Sequence, residues 1–288
     1  MAVTRAIRRS VSRAGRDDLR VNAAFVEKVL TGFIADETRR AGARRVVIGL
    51  SGGVDSALAA CLARRALGPR GVVAVMMPYR LSHPSSVKDA RELARRLGIR
   101  VELHDISPMV DAYFTGDPRA TRLRRGNKMA RERMSILYDR SMVHDALVLG
   151  TSNKTELLLG YGTIHGDMAS SLNPVGDLYK TQVRQMAVHL EVPLAIRRKT
   201  PSADLWPDQT DEGELGFSYA DVDRLLYLLV DQRYSRRAVL DQGWPRAMVD
   251  RVIRRIVRSQ YKRRLPLIAK LSERTVGVDF RYPRDWGS

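Results

Sequence analysis

Apolar positions along this chain follow two rhythms, short unbroken runs and stripes at helical spacing. Leu19 to Arg40 carries Val26, Val29, Leu30, Phe33 and Ile34 on one face, which predicts an amphipathic helix ending near Gly42. Val46, Val47, Ile48 and Leu50 form a run of buried-strand length. Ser51, Gly52 and Gly53 break it, and from Val54 the apolar positions (Val54, Ala57, Leu58, Cys61, Leu62) return at helical spacing. Gly71 to Met77 predicts a second buried strand ended by Pro78, and Tyr79 to Pro84 a loop. Ser85 to Leu97 predicts a helix, with Ser85 or Ser86 as cap and Gly98 as stop. Arg100 to Ile106 alternates like a third strand. Asp117 to Lys128 is a basic connection, Met129 to Val143 a helix and Ala146 to Gly150 a fourth strand. Gly160 to Gly176 is long and glycine-punctuated, as functional loops are. Leu178 to Leu190 is helical, and beyond Ser218 helices are expected to about Tyr261, before a basic tail from Lys262 to Ser288.

Strands separated by helices of this length predict right-handed βαβ units. The fold class is therefore α/β, a Rossmann-like parallel sheet with helices on both faces and a C-terminal helical part. In such a sheet ligands sit at the carboxyl ends of the strands, near the switch point. Ser51 to Ser56 falls there. A strand, a glycine turn and a helix in succession leave backbone N–H groups free to bind an anion. Ser51 and Ser56 can add hydroxyl donors. No GK[ST] follows, so this is not a Walker loop. Asp55 places a carboxylate among groups suited to phosphate, which is repulsive unless a cation lies between. That reads as a Mg²⁺ ligand beside nucleotide phosphates. The plain alternative is an ordinary βα turn with Asp55 in the first helical turn, where the dipole favours it.

Composition narrows the class. The chain has 288 residues, 44% of them hydrophobic, enough for a full core. No apolar run is long enough to span a bilayer. One cysteine, Cys61, rules out a disulfide framework within the chain and fits a reducing cytosol, so the expected location is cytoplasmic. The net charge of +18 invites a nucleic-acid partner. Arginine outnumbers lysine and the basic residues are spread rather than massed, so RNA binding is the lesser reading. Residues 1–16 are basic and free of acids and read as a mobile arm or a leading helical turn, with only a vague likeness to a transit peptide.

The stretch SGGVDS resembles the pyrophosphate loop of the N-type ATP pyrophosphatases, which cleave ATP between the α and β phosphates. Within that group GNKMARERM (126–134), GTSNKTE (150–156), PVGDLYKTQV (174–183), PSADLW (201–206), the following QTDEGELGFSY and the tail KRRLPLIAKL are similar to the NAD synthetase family. They separate the chain from the GMP, argininosuccinate and tRNA-modifying branches. The resemblance implies an adenine-nucleotide alpha-hydrolase-like fold spanning 19–217, preceded by a basic arm (1–18) and followed by C-terminal helices and tail (218–288) packed on the same domain. It implies ATP contacts at Gly49, Leu50, Ser51, Gly52, Gly53, Val54, Asp55, Ser56, Thr151, Lys180 and Ser202. It implies Mg²⁺ on Asp55 and Glu156, and catalytic roles for Asp55 and Lys180, the lysine on phosphate. Asn153 to Glu156 also reads simply as a capping box, and Lys180 as a solvated lysine. The acidic stretch around Asp208 to Glu214 resembles a mobile loop that closes over the site, or is a solvated turn.

On the acid-substrate side the resemblance implies Arg131, Ile164, Asp167, Ser171, Tyr261 and Lys262. Three of these depart from the usual pattern. Ile164 replaces a lysine, Ser171 an aspartate and Tyr261 the histidine of a histidine–lysine pair. The implied reaction adenylates a carboxylate and transfers ammonia, giving amide, AMP and pyrophosphate, with deamido-NAD as the acid. The departures leave another acid open, nicotinate mononucleotide or a specialised metabolite. A tRNA-modifying or RNA-binding protein is the alternative from another class. The resemblance contains no glutaminase unit, so ammonia is expected free or from a separate partner protein. The family implies a homodimer.

Overall fold

The computed structural model describes residues 19–206, 208–264, 266–276 and 279. The basic arm at 1–18 and the end of the tail lie outside the described residues. Helix α1 (Ala23–Arg40) is capped by Asn22, whose side chain accepts from Phe25 N at 3.1 Å. Strand β1 (Arg45–Gly49), helix α2 (Val54–Leu67), strand β2 (Val72–Met76), helix α3 (Pro84–Leu97) and strand β3 (Arg100–Leu103) follow in βαβ order. Helices α4 (Ser107–Phe114) and α5 (Arg122–His144) then lead to strand β4 (Ala146–Leu149).

The strands pair in parallel in the order β3-β2-β1-β4. Chain order runs outward from β1 to β3 and then reverses to place β4 on the other side of β1, so the loops after β1 and β4 flank the switch point. Alternation along β1 explains the two layers. Val46 and Ile48 enter a core with Leu58, Leu62 and Met186, while Val47 joins Val73 and Val75 against Ile136 and Leu137 of α5.

After β4 come α6 (Lys154–Leu159), α7 (Lys180–His189), α8 (Leu194–Arg198), α9 (Asp211–Leu215), α10 (Tyr219–Leu226), α11 (Arg236–Asp241) and α12 (Arg246–Arg258). The last three bury Val222, Leu226, Val239, Val249 and Val252 in a second core with Leu159 and Tyr179. The residues beyond 218 therefore close on α6 and α7.

Several local expectations change. Pro84 takes the first turn of α3, and the cap is His83, whose ring nitrogen accepts from Ser85 N at 3.2 Å, rather than Ser85 or Ser86. The expected connection at 117–128 is helical from Arg122, with Thr121 as cap. Gly126 does not break that helix. It admits Leu205, whose Cδ1 would lie 3.0 Å from a Cβ placed there. Helix α4 buries Val110 and Phe114, one turn apart, on one face. The third strand stops at Leu103, short of Ile106. The C-terminal helical stretch is interrupted by a π-turn at Tyr227–Asp231 and by positive φ at Arg233 and Gly243.

Candidate active site

The loop after β1 is braced from within. Ser56 Oγ donates to Gly53 O at 3.0 Å and lies 3.0 Å from Ser51 Oγ, while Gly53 N donates to Ser51 Oγ at 3.3 Å. The two hydroxyls thus hold the turn in shape, beyond the donor role expected of them. Gly52 has φ 76° and packs so closely that a Cβ would meet Ser86 O at 2.4 Å. Gly53 stands at the N-cap of α2 with no side-chain hydrogen bond, so the first N–H groups of the helix have no side-chain cap. Gly49 and Leu50 lead into this turn, Leu50 N donating to Val75 O at 2.9 Å.

Asp55, in the first turn of α2, meets two groups from the other side of the switch point. Asn153 Nδ2 donates to its Oδ1 at 2.9 Å, and Lys180 Nζ to its Oδ2 at 2.5 Å. Lys180 Nζ also donates to Glu156 Oε1 at 3.3 Å. Glu156 serves twice: its Oε2 accepts from Asn153 N at 3.1 Å, completing the capping box of α6. The cap and the metal readings therefore use different oxygens of one residue. Lys180 is 3% exposed. Burial opposes its ammonium, but the charges of Asp55 and Glu156 hold its pKa above the ordinary value. Burial pushes Glu156 up; Lys180 opposes this, while Asp55 and Asp211 add to it.

Buried polar groups fix this centre from behind. Thr155 Oγ1 accepts from Lys180 N at 3.0 Å and donates to Asp223 Oδ1 at 2.5 Å, while Asp223 Oδ2 accepts from Thr181 N at 2.8 Å. One carboxylate on α10 thus ties α6 to the start of α7. Asp211 accepts from the hydroxyls of Tyr219 at 2.9 Å and Tyr161 at 3.1 Å. Burial raises both tyrosines well above their ordinary range, so they remain donors. From sequence Asn153 reads only as part of a helix cap, and Asp211, Tyr219 and Asp223 have no individual role at the site. Three lay inside quoted motifs, but nothing local says that they face a lysine from another segment.

The remaining expected residues spread around this centre. Thr151 is half-buried in the loop after β4, and Ser202 is exposed, accepting from Asp204 N at 3.0 Å. Arg131 points to solvent on α5, while Arg133 turns inward and donates to Met77 O at 3.0 Å. Burial lowers Arg133, against the charges of Asp204 and Asp167. Asp167 Oδ1 accepts from Thr163 N at 2.6 Å. Lys262 Nζ donates to Gly160 O at 2.9 Å and Gly162 O at 2.7 Å, pinning the start of the 160–176 loop. Ile164 is half-buried, Ser171 Oγ accepts from Val148 N at 3.3 Å, and Tyr261 is 61% exposed.

Among the described residues no group of three or more His, Cys, Asp or Glu side chains is placed to hold a metal ion. Asp55 and Glu156 nevertheless offer one oxygen each to a single cation, the ammonium of Lys180. Two carboxylates suit Mg²⁺, whose other positions commonly go to phosphate and water.

Residues 26–266 match the NAD synthase family. An NH(3)-dependent NAD(+) synthetase of Trichlorobacter lovleyi is 54% identical over 269 residues, 93% of this chain and 98% of that protein. A solved NH3-dependent NAD synthetase from Campylobacter jejuni has a TM-score of 0.76 at 32% identity, covering 87% of this chain and 100% of that chain. An NMN synthetase from Francisella tularensis also gives 0.76 at 32% identity, over 87% of this chain and 99% of that chain. With its motifs, its fold and nearly its whole length shared with such proteins, the chain belongs to the NAD synthase family.

Proposed function

We propose that the chain makes NAD from its acid precursor, deamido-NAD, with ATP and ammonia. The observation that carries this reading is the meeting of Asp55 and Glu156, from the first turns of the helices that follow β1 and β4, on Lys180 across the switch point. The free N–H groups at the start of α2 bind phosphate. Gly49 to Ser56, Thr151 and Ser202 form the rest of the ATP side. Asp55 and Glu156 would hold Mg²⁺, each with one carboxylate oxygen. When bound, the ion supplies charge neutralisation on the triphosphate.

The substrate carboxylate attacks the α-phosphorus and pyrophosphate leaves with the bonding electrons. The acyl-adenylate then takes ammonia at its acyl carbon, expels AMP and loses a proton. Adenylation is needed because a carboxylate oxygen leaves poorly and AMP leaves well. Lys180 places its charge where negative charge grows on the departing pyrophosphate. Arg131, Ile164, Asp167, Ser171, Tyr261 and Lys262 line the acid side, with Lys262 and Asp167 shaping the 160–176 loop.

The proposed working unit is a homodimer formed through α5. That helix exposes Leu123 (67%) and Met142 (83%), and it carries the exposed Arg131. The proposed organisation is an arm (1–18), a catalytic domain (19–217) and a C-terminal part (218–288). The buried thiol of Cys61 suits a reducing cytoplasm. No helix among the described residues is long and apolar enough to cross a membrane.

A second reading, amidation of nicotinate mononucleotide, is favoured by two observations. The Francisella neighbour is named an NMN synthetase, and Ile164 and Ser171 offer no charge to a second nucleotide half. Pyrophosphate release with ammonium, measured on both acids, tests the choice. A higher kcat/KM on deamido-NAD is expected. A tenfold preference for the mononucleotide would install the second reading, and turnover of neither would remove both.

A further inference from the structure

Lys180 rests on a surface that neither the phosphate loop nor the carboxylate pair provides. Its Nζ lies 5.2 Å from the centre of the Tyr219 ring, within the range of a cation–π contact. Tyr219 is fully buried, so the ring has no room to turn aside. It is held at both ends by α9. Its hydroxyl donates to Asp211 Oδ2 at 2.9 Å, and its backbone N donates to Glu212 Oε1 at 2.9 Å. Asp211 is itself 4% exposed, and its other oxygen takes the Tyr161 hydroxyl at 3.1 Å. Asp211 N donates to Pro201 O at 3.0 Å, tying the acidic stretch to the PSADLW segment that precedes it.

We propose that Tyr219, oriented by Asp211, is a positioning residue for Lys180: the ring face and the carboxylate behind it hold the ammonium between Asp55 and Glu156 before the triphosphate arrives. A lysine stem is long and flexible, and a compact ammonium is the group that gains most from a fixed seat. A phenol that donates to a carboxylate carries more electron density in its ring, which strengthens the attraction for the cation above it. Asp211 and Tyr219 act through the lysine and need not touch substrate. The acidic stretch is thus coupled to the reacting phosphates through the position of one side chain.

The proposal rests on the reading of Lys180 as the cation that meets the leaving pyrophosphate, and a double-mutant cycle separates the two. Ammonium-dependent amide formation is measured for wild type, Tyr219→Leu, Lys180→Met and the double variant, with KM for ATP and melting temperature for each. Tyr219→Leu is expected to lower kcat ~10-fold with little change in KM, and to cost nothing further in the Lys180→Met background. Tyr219→Phe, which keeps the ring and loses the Asp211 hydrogen bond, is expected to recover part of the loss. If Tyr219→Leu lowers kcat by the same factor in both backgrounds, its role is only structural and the proposal is overturned while the lysine reading stands. A Lys180→Met variant with wild-type kcat would overturn both. If Tyr219→Leu does not fold, Asp211→Asn takes its place in the cycle, with the same coupling expected and the same outcomes decisive.

Discussion

Asp55 carries the densest set of demands in the molecule. It starts a helix, takes an amide from Asn153, pairs with Lys180 and faces the site proposed for phosphate and metal. Asp55→Asn keeps its shape and removes its charge. Pyrophosphate release is expected to fall ~100-fold or more, with melting close to wild type. Near-normal release from a folded variant would remove the metal role. Cys61 is the opposite case. Burial raises its thiol from 9.0 to about 11, against the charges of Arg65 and Arg96. Two pH units mean ~100-fold less thiolate at pH 8, so reaction with a disulfide reagent is expected to be slower than for a free thiol by about that factor. The folded pKa is the higher one, so this stabilisation is complete below pH 9 and is lost as pH rises through about 11. Melting of wild type should therefore fall toward that of Cys61→Ala between those values. Cys61→Ala should keep ammonium-dependent activity, because the proposed chemistry uses no thiol.

At the scale of elements, two joints hold the centre. The turn from β1 into α2 needs Gly52 for its positive φ and for the contact with Ser86 O. Gly52→Ala is expected to cost about 1–3 kcal/mol in strain and to raise KM for ATP. A melting curve and an ATP titration check this, and unchanged values in both would mean that the loop relaxes freely. The second joint is Asp223, which binds α10 to Thr155 and Thr181 at the starts of α6 and α7. Asp223→Ala leaves buried donors without an acceptor and is expected to cost about 2–4 kcal/mol, read by denaturant unfolding. A cost below 0.5 kcal/mol would show the joint to be redundant.

For the whole molecule, the open question is assembly. Helix α5 presents Met142 and Leu123 to solvent, while α4 adds Tyr113 and β3 adds Leu103. Such apolar exposure on neighbouring elements is what an interface core offers. Light scattering is expected to give twice the mass of one chain, and Met142→Glu to shift the mass toward the monomer. A wild-type monomer at assay concentration would end the dimer proposal and remove Arg131 from any shared site.

Much of this architecture was legible from the order of residues, because its signals are short-range. The apolar run Val46 to Leu50, the glycine turn and the renewed helical stripe predict a strand, an anion-binding loop and a helix. Those are β1, the uncapped turn and α2. Gly98 stops α3 with φ 64°, as a left-handed glycine should. Alternating helices and strands predict the parallel sheet, and its order β3-β2-β1-β4 puts the turn after β1 beside the switch point, where a ligand is expected. Tertiary structure decided what crosses that point. Lys180 and Asp55 are 125 residues apart, and only the placing of β4 beside β1 brings them to 2.5 Å. It decided that Arg133 turns inward and Arg131 outward, since that depends on which face of α5 meets the sheet. It decided that Gly126 sits within a helix because Leu205 packs against it. It also brought Tyr219 and Asp211 behind the lysine. Periodicity and caps report energies within a few residues, whereas these contacts arise from register and packing between segments remote in the chain.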